Sequence, residues 1–432
     1  MNESSRKYLI PIILITSLFF LWALAHNLND ILIRQFQKAL DLNRGQAGFI
    51  QFAFYLGYFV MAIPAGLIMK KFGYKKGIIT GLVLYSCGAL LFLPAAEIRV
   101  YGFFLFALFV IASGLTFLET AANPYITKLG NPEFAERRLN FAQAFNGLGS
   151  VVAPAIGGAF IFSGTEYSKA ELTAMRPEQI EAYRIMEARS VQLPYLGIAL
   201  IVAMVAFLIF MTRLPSPEDE YQDSNIRISK KLFRHSHLLS GIIAQLFYVG
   251  AQVGIWSYFI DFMKDLVPQT PEKTAAYFLS LNLVFFMAGR FTGSFLMTWI
   301  KPNRLLALYS LINLALILIG SLGSGMTAVI AVMLVSFFMS IMFPTIFALS
   351  IKNLGNDTKI GSSLVIMAII GGALFPLIMG YLAVRDIQIA FLVPFVCFVV
   401  VLLFAVWGYK IKKQKTRMHE NQKILPDIGF EK

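Results

Sequence analysis

Long apolar runs, separated by short polar or Gly/Pro-bearing segments, fill almost the whole chain. A helix crossing a hydrocarbon layer of ~30 Å needs about 20 residues. Runs of that kind predict twelve spans, near 8–33, 46–70, 76–95, 100–128, 138–163, 191–212, 238–264, 273–300, 304–321, 325–352, 358–384 and 388–411. The segment 213–236 is polar, charged and carries Pro215 and Pro217, which reads as a linker. The chain thus divides into a six-helix half over 1–212, the linker, and a second six-helix half over 237–432 that ends in a basic tail. The segment 164–190 balances Glu166, Glu171, Glu178, Glu181 and Glu187 against Lys169, Arg176, Arg184 and Arg189. It is expected to form one or two short amphipathic helices over a cavity mouth.

The halves resemble each other. Pro124, Leu129-Gly130-Asn131 and Pro154 follow one another between spans 4 and 5, and Pro344, Leu354-Gly355-Asn356 and Pro376 do so between spans 10 and 11. Leu139 to Pro154 and Gly361 to Pro376 are both fifteen steps. Parallel halves related by an axis along the membrane normal are one known transporter plan, with the substrate site at mid-bilayer between them.

Composition agrees with a bilayer. The 432 residues are 57% hydrophobic and 14% charged, where a soluble globule carries about 25% charged residues. The net charge of +13 is spread out, with no compact basic domain for nucleic acid. It reads instead as topology. With the N-terminus inside, 25 of the 37 Lys and Arg fall on inner segments and eleven on outer ones, and Arg290 lies within a span. Excess Lys and Arg marks the cytoplasmic side. Both termini and the linker are therefore expected in the cytoplasm and 164–190 outside, in a monomeric, multi-pass inner-membrane protein. The N-terminal run is too long and too polar at its far end for a cleavable signal. Cys87 and Cys397 lie inside apolar runs and read as packed free thiols.

Two carboxylates interrupt this apolar background. Asp30 closes the run Ala25-His26-Asn27-Leu28-Asn29-Asp30, and Glu119 sits in Phe117-Leu118-Glu119-Thr120-Ala121. A carboxylate at membrane depth costs at least ~2.5–3.5 kcal/mol, and such groups often mark ion or substrate paths. Polar neighbours recur at helical spacing. Span 1 carries His26, Asn27 and Asp30; span 4 carries Thr116, Glu119 and Asn123; span 5 carries Asn140, Gln143, Asn146 and Ser150; span 7 carries Gln245, Tyr248, Gln252 and Trp256; span 8 adds Asn282. Fixed amide donors and acceptors beside aromatic planes suit a neutral polyol. Interhelical hydrogen bonding is the alternative for any one of them. Arg290 either pairs with a carboxylate or caps carbonyls near the inner end. His26 is a possible relay partner for Asp30 or simply a satisfied donor.

No phosphate-cradling loop, zinc spacing or nucleophile–base pair appears, so neither an enzyme nor a bound cofactor or metal is expected. The energy source is then a gradient, and a desolvated carboxylate is a physical route to proton coupling.

At these residues the chain resembles the major facilitator superfamily and, within it, the fucose–galactose–proton symporter family with its fucose permeases. The carrying segments are Asn27-Leu28-Asn29-Asp30-Ile31-Leu32, Leu118-Glu119-Thr120-Ala121-Ala122-Asn123-Pro124, Leu139-Asn140-Phe141-Ala142-Gln143-Ala144-Phe145-Asn146, Val191-Gln192-Leu193-Pro194-Tyr195, Tyr248-Val249-Gly250-Ala251-Gln252, Gly289-Arg290-Phe291-Thr292-Gly293 and Phe343-Pro344-Thr345-Ile346-Phe347. The resemblance implies proton-driven sugar import through the inner membrane, with Asp30 as the protonated aspartate and Glu119 as the glutamate that contacts sugar and takes part in coupling. Two departures stand out. Lys70 replaces the acid of the superfamily's loop after span 2, and His26 stands where an Asn is usual. L-fucose leads as substrate, with glucose or galactose as the alternative. A drug or organic-cation antiporter would need a more apolar cavity with fewer amides.

Overall fold

The computed structural model describes residues 3–42, 44–129, 131–156, 160, 171, 174–215 and 230–411; within these, the side chains of 3–9, 29–31, 33–34, 37–38, 44–48, 154–155, 230–231, 272–273 and 276 lie outside the description. The described residues are helical or in turns, with no strand among them. Ten stretches are long and apolar enough to cross a membrane. One of them, Phe49–Ile98, holds two spans, and Ala135–Ile156 is a further helix made too polar for that test by its amide stripe. Together these make the twelve-helix architecture.

Helix α1 covers Glu3–Leu40 and α2 covers Arg44–Leu90. Gly73 folds α2 back on itself with φ of 83°, a left-handed conformation that glycine adopts without steric cost. Then follow α3 (Phe92–Ile98), α4 (Tyr101–Lys128), α5 (Ala135–Ile156), α6 (Pro177–Arg189) and α7 (Gln192–Met211). The second half holds α8 (Ser236–Leu266), α9 (Glu272–Leu296), α10 (Pro302–Leu322), α11 (Gly325–Met339), α12 (Met342–Ser350), α13 (Thr358–Met367), α14 (Gly371–Ala383), α15 (Ile387–Ala390) and α16 (Leu392–Leu403).

Prolines mark where several helices start. Pro94, Pro194, Pro344 and Pro394 are each the third residue of a new helix: α3, α7, α12 and α16. Proline lacks the N–H that would continue a helix, but the first turn has no use for that donor. Span 10 is therefore two helices that meet at Ser340–Ile341, and span 12 starts as the short α15 before α16.

Exposed apolar side chains form the outer surface, as on α7, where Leu193, Leu200, Met204, Phe207 and Phe210 face outward. Such a surface suits lipid rather than water. Helix α6 confirms a helix within 164–190, while 161–170 and 172–173 lie outside the described residues. None of the α6 residues is among those that line the cavity described below. Gln35 of α1 donates to the Glu187 carboxylate at 2.6 Å, Arg189 pairs with Glu97 at 2.7 Å, and Arg99 pairs with Glu181 at 2.5 Å. These bonds fasten α6 to α1 and α3. Cys87 is exposed, Cys397 is buried, and both are free thiols. The linker residues 216–229 and the tail 412–432 lie outside the described residues.

The two halves meet along α2–α13, α4–α13, α5–α9 and α5–α12. At the end bearing the start of α5, Lys352 pairs with Glu136 across the halves at 2.6 Å. Asn140 donates to the Thr345 hydroxyl at 3.2 Å, and Lys359 lies over the Tyr74 ring at 5.1 Å. Gly66 lets α2 approach α13: a Cβ there would lie 2.7 Å from Ser363 Oγ and 3.2 Å from the Lys359 carbonyl. This end of the seam is closed.

Candidate functional site

A cavity of about 810 Å³ lies between the halves. Its mouth is at the end where α1 finishes and α2 begins, marked by exposed Phe49 and Phe52. Its floor is built from both halves by Glu119, Gln143, Asn146, Arg290 and Phe343.

Glu119 reaches the cavity from the middle of α4 and is 6% exposed. Tyr58 on α2 donates its hydroxyl to Glu119 Oε1 at 2.5 Å. The tyrosine is fully buried apart from its place in the cavity wall, and the bond is charge-assisted when the acid is ionised. Tyr58 was not among the expected site residues. Its signal was present: Gln51, Tyr55 and Tyr58 follow i, i+4, i+7, and all three line the cavity.

Arg290 is 3% exposed and rises from α9. Its Nη1 donates to Asn146 Oδ1 at 2.7 Å, to Gln143 Oε1 at 3.3 Å and to the Gln143 carbonyl, all on the other half. Its Nε donates to the Ser340 carbonyl at 3.2 Å. That carbonyl is free because Pro344, four residues on, has no N–H to offer it. The guanidinium also stacks over Phe286 at 4.4 Å. Of the two expected roles, Arg290 takes the carbonyl-capping one, and no ion pair between it and Glu119 is found among the described residues. The repeat-related Pro124 frees the Thr120 carbonyl in the same way, and Ser362 of the opposite half donates to it at 3.2 Å.

The other expected residues divide into two groups. Asn27, Gln143, Asn146, Gln252, Trp256 and His26 line the cavity. Asn27 Nδ2 donates to Ser150 Oγ at 3.0 Å, which ties α1 to α5, and Trp256 Nε1 donates to Ser336 Oγ at 3.1 Å. His26 meets the Phe54 ring edge-on at 5.2 Å. Asn123, Gln245, Tyr248 and Asn282 are 0% exposed and lie behind the wall rather than in it. Helical spacing puts them on the right faces, but the packed halves cover them. Asp30 belongs to α1, one turn nearer the mouth than His26, and its side chain lies outside the described residues. Helix α1 runs to Leu40, well past the expected end at 33, so it rises beside the whole cavity.

Among the described residues the wall combines the Glu119 carboxylate, several amides and a fixed guanidinium with the aromatic faces of Trp22, Tyr55, Trp256 and Phe286. This set can hydrogen-bond hydroxyls in both directions and stack on an apolar C–H face. Among the described residues no cluster of His, Cys, Asp and Glu is arranged to hold a metal ion.

Comparisons with known proteins agree with this geometry. The family model described as Major Facilitator Superfamily matches residues 8–369. The chain is 48% identical over 409 residues to the L-fucose-proton symporter of Escherichia coli (strain K12), covering 93% of each chain. It is 38% identical to the glucose/galactose transporter of Brucella abortus biovar 1 (strain 9-941), covering 95% of this chain and 96% of that one. It also matches the crystal structure of the transporter FucP in the outward conformation, with a TM-score of 0.87, 46% identity, and coverage of 93% of this chain and 99% of that one. A two-half, twelve-helix fold with a central cavity, matched by the family model over most of the chain, places this protein in the major facilitator superfamily.

Proposed function

We propose that this protein imports a monosaccharide, L-fucose, together with a proton across the inner membrane by alternating access. One observation carries the reading: a cavity open at one end and closed at the other has a floor in which Glu119 and the amides Gln143 and Asn146 are held by groups from both halves. A hydroxylated ligand bound there touches both halves at once, so its binding energy can act on how the halves sit together. The relative named as an L-fucose-proton symporter supports the choice of sugar, and the relative named as a glucose/galactose transporter supports the second reading.

In this reading the mouth faces the outside and the closed seam faces the cytoplasm, with both termini and the 213–236 linker. The halves are 1–212 and 237–432. Glu119 accepts from sugar hydroxyls, Gln143, Asn146 and Gln252 add amide contacts, and Trp256 offers an aromatic platform. Asp30 binds the transported proton on the mouth side of Glu119, and coupling runs through the shape and solvation of the shared cavity rather than through one shared proton. Uptake of radiolabelled L-fucose, D-glucose and D-galactose into membrane vesicles, with and without an imposed pH gradient, tests the reading. The expected result is concentrative L-fucose uptake only with an inward proton gradient. Stronger accumulation of glucose or galactose would favour the second sugar reading, and accumulation indifferent to the gradient would sink proton coupling.

A further inference from the structure

Directly beneath the cavity floor lies a set of buried polar atoms that the outward-open cavity does not use. Asn123 Nδ2, Asn140 Oδ1 and both amide atoms of Gln245 have no hydrogen-bond partner among the described residues, and all three side chains are 0% exposed. Each is on the closed side of a floor or wall residue. Asn123 follows Glu119 by four residues, Gln245 precedes Val249 by four and Asn140 precedes Gln143 by three, so each is about 4.5–6 Å deeper along its helix. Their helices, α4, α5 and α8, all pack against α12, and Asn140 touches Thr345 within it. They come from both halves.

A buried amide atom left unpaired loses its hydrogen bonds to water without replacement, and such atoms are rare in a native structure. Gln245 is wholly unpaired, while Asn123 accepts from Gln143 Nε2 at 3.1 Å and Asn140 donates to Thr345 at 3.2 Å, which leaves one unpaired atom on each. Unpaired amide atoms on three helices of one closed seam need a reason. The seam around them is held by contacts that can part: the Glu136–Lys352 pair, the Asn140–Thr345 bond and the bond from Ser362 to the Thr120 carbonyl. If these part, the same amides become the wall of a cleft that opens at the other end.

We propose that Asn123, Asn140 and Gln245 form a second monosaccharide subsite, unused while the mouth is open and presented when the seam opens at the opposite end. Asn123 contributes a donor, Asn140 an acceptor and Gln245 one of each, a set suited to vicinal hydroxyls. The sugar then passes from Glu119, Gln143 and Asn146 to these residues as the halves rock. The cost of the unpaired amides also limits how stable the closed seam is. The subsite rests on the reading of the protein as a sugar transporter.

The test compares the two faces of the full-length protein. Replacing Gln245 by Leu removes the amide at similar volume. Gln245→Leu is expected to raise the half-saturating L-fucose concentration for efflux at least fivefold, measured with sugar presented at the linker face. Affinity at the mouth face should stay within twofold of the wild type. The melting temperature of the sugar-free protein should rise, because an unpaired buried amide has gone. Equal changes at both faces, or none at either, overturn the subsite. As a second variant, Gln245→Cys in a chain with Cys87 and Cys397 replaced by Ser should react with an impermeant thiol reagent only from the linker face, and L-fucose should slow the reaction. Reaction from the mouth, or reaction that L-fucose does not slow, also overturns it. Wild-type vesicles that move no monosaccharide would instead sink the transport reading itself.

Discussion

Arg290 on α9 donates to the Asn146 side chain on α5 at 2.7 Å, so a guanidinium from one half closes the cavity floor against the other. The same group takes the carbonyl that Pro344 leaves free at Ser340. Lysine has neither the Nε donor nor the planar fork needed for both contacts. Arg290→Lys is expected to cut L-fucose uptake more than tenfold while the protein still inserts and purifies. Uptake at the wild-type rate in that variant would show that the bridge is incidental.

Glu119 and Tyr58 form the second relationship. Hydrogen bonds to charged groups contribute about 1.5–3 kcal/mol, so Glu119→Ala should weaken sugar binding by about that amount. Tyr58→Phe keeps the ring that packs on Phe54 at 5.6 Å and removes only the hydroxyl that fixes the carboxylate. It should cost less, about 0.5–1.5 kcal/mol, and cost nothing more once Glu119 is already Ala. Calorimetric titration of the single and double variants measures both quantities. Additive losses would mean that Tyr58 does not act through Glu119.

Asp30→Asn keeps the shape of the side chain and removes its ability to exchange a proton. We expect concentrative uptake to disappear while exchange of sugar between the two sides persists. The comparison is between counterflow and gradient-driven uptake in the same vesicles. Accumulation at the wild-type level would remove Asp30 from the coupling role.

Gly66 sits where α2 and α13 touch. A Cβ there would come within 2.7 Å of Ser363 Oγ, so Gly66→Leu should wedge the closed end of the seam apart. The population should shift away from the mouth-open state, and L-fucose affinity at the mouth face should fall several-fold. A thiol placed at the linker end should label faster than in the wild type. Unchanged labelling and affinity would mean that the seam is not closed by this contact in the membrane.

The charge asymmetry makes its own statement about orientation. Introduced cysteines in 213–236 should be reachable only from the cytoplasmic side, and those in 164–190 only from outside. Labelling of 213–236 from outside would turn the whole protein over in the membrane, mouth and seam together.

Much of this protein was legible in the sequence. Long apolar runs admit few structures besides membrane helices, so the spans, the repeat and the two-half plan follow from local composition and spacing. Buried carboxylates are costly enough to mark a functional region, and Glu119 does line the cavity. Helical spacing also placed Gln143, Asn146, Gln252 and Trp256 on the correct faces. Depth along the seam was beyond it. Whether Gln252 meets the cavity while Gln245, on the same stripe, is sealed behind it depends on where the opposite half presses. That is set by contacts such as Gly66 with Ser363 and Glu136 with Lys352, between residues hundreds of positions apart. The pairing of Glu119 with Tyr58 and of Arg290 with Asn146, rather than of the acid with the base, is likewise a choice among several polar groups of suitable chemistry. Periodicity tells which way a side chain faces, and only the packed halves decide what it meets there.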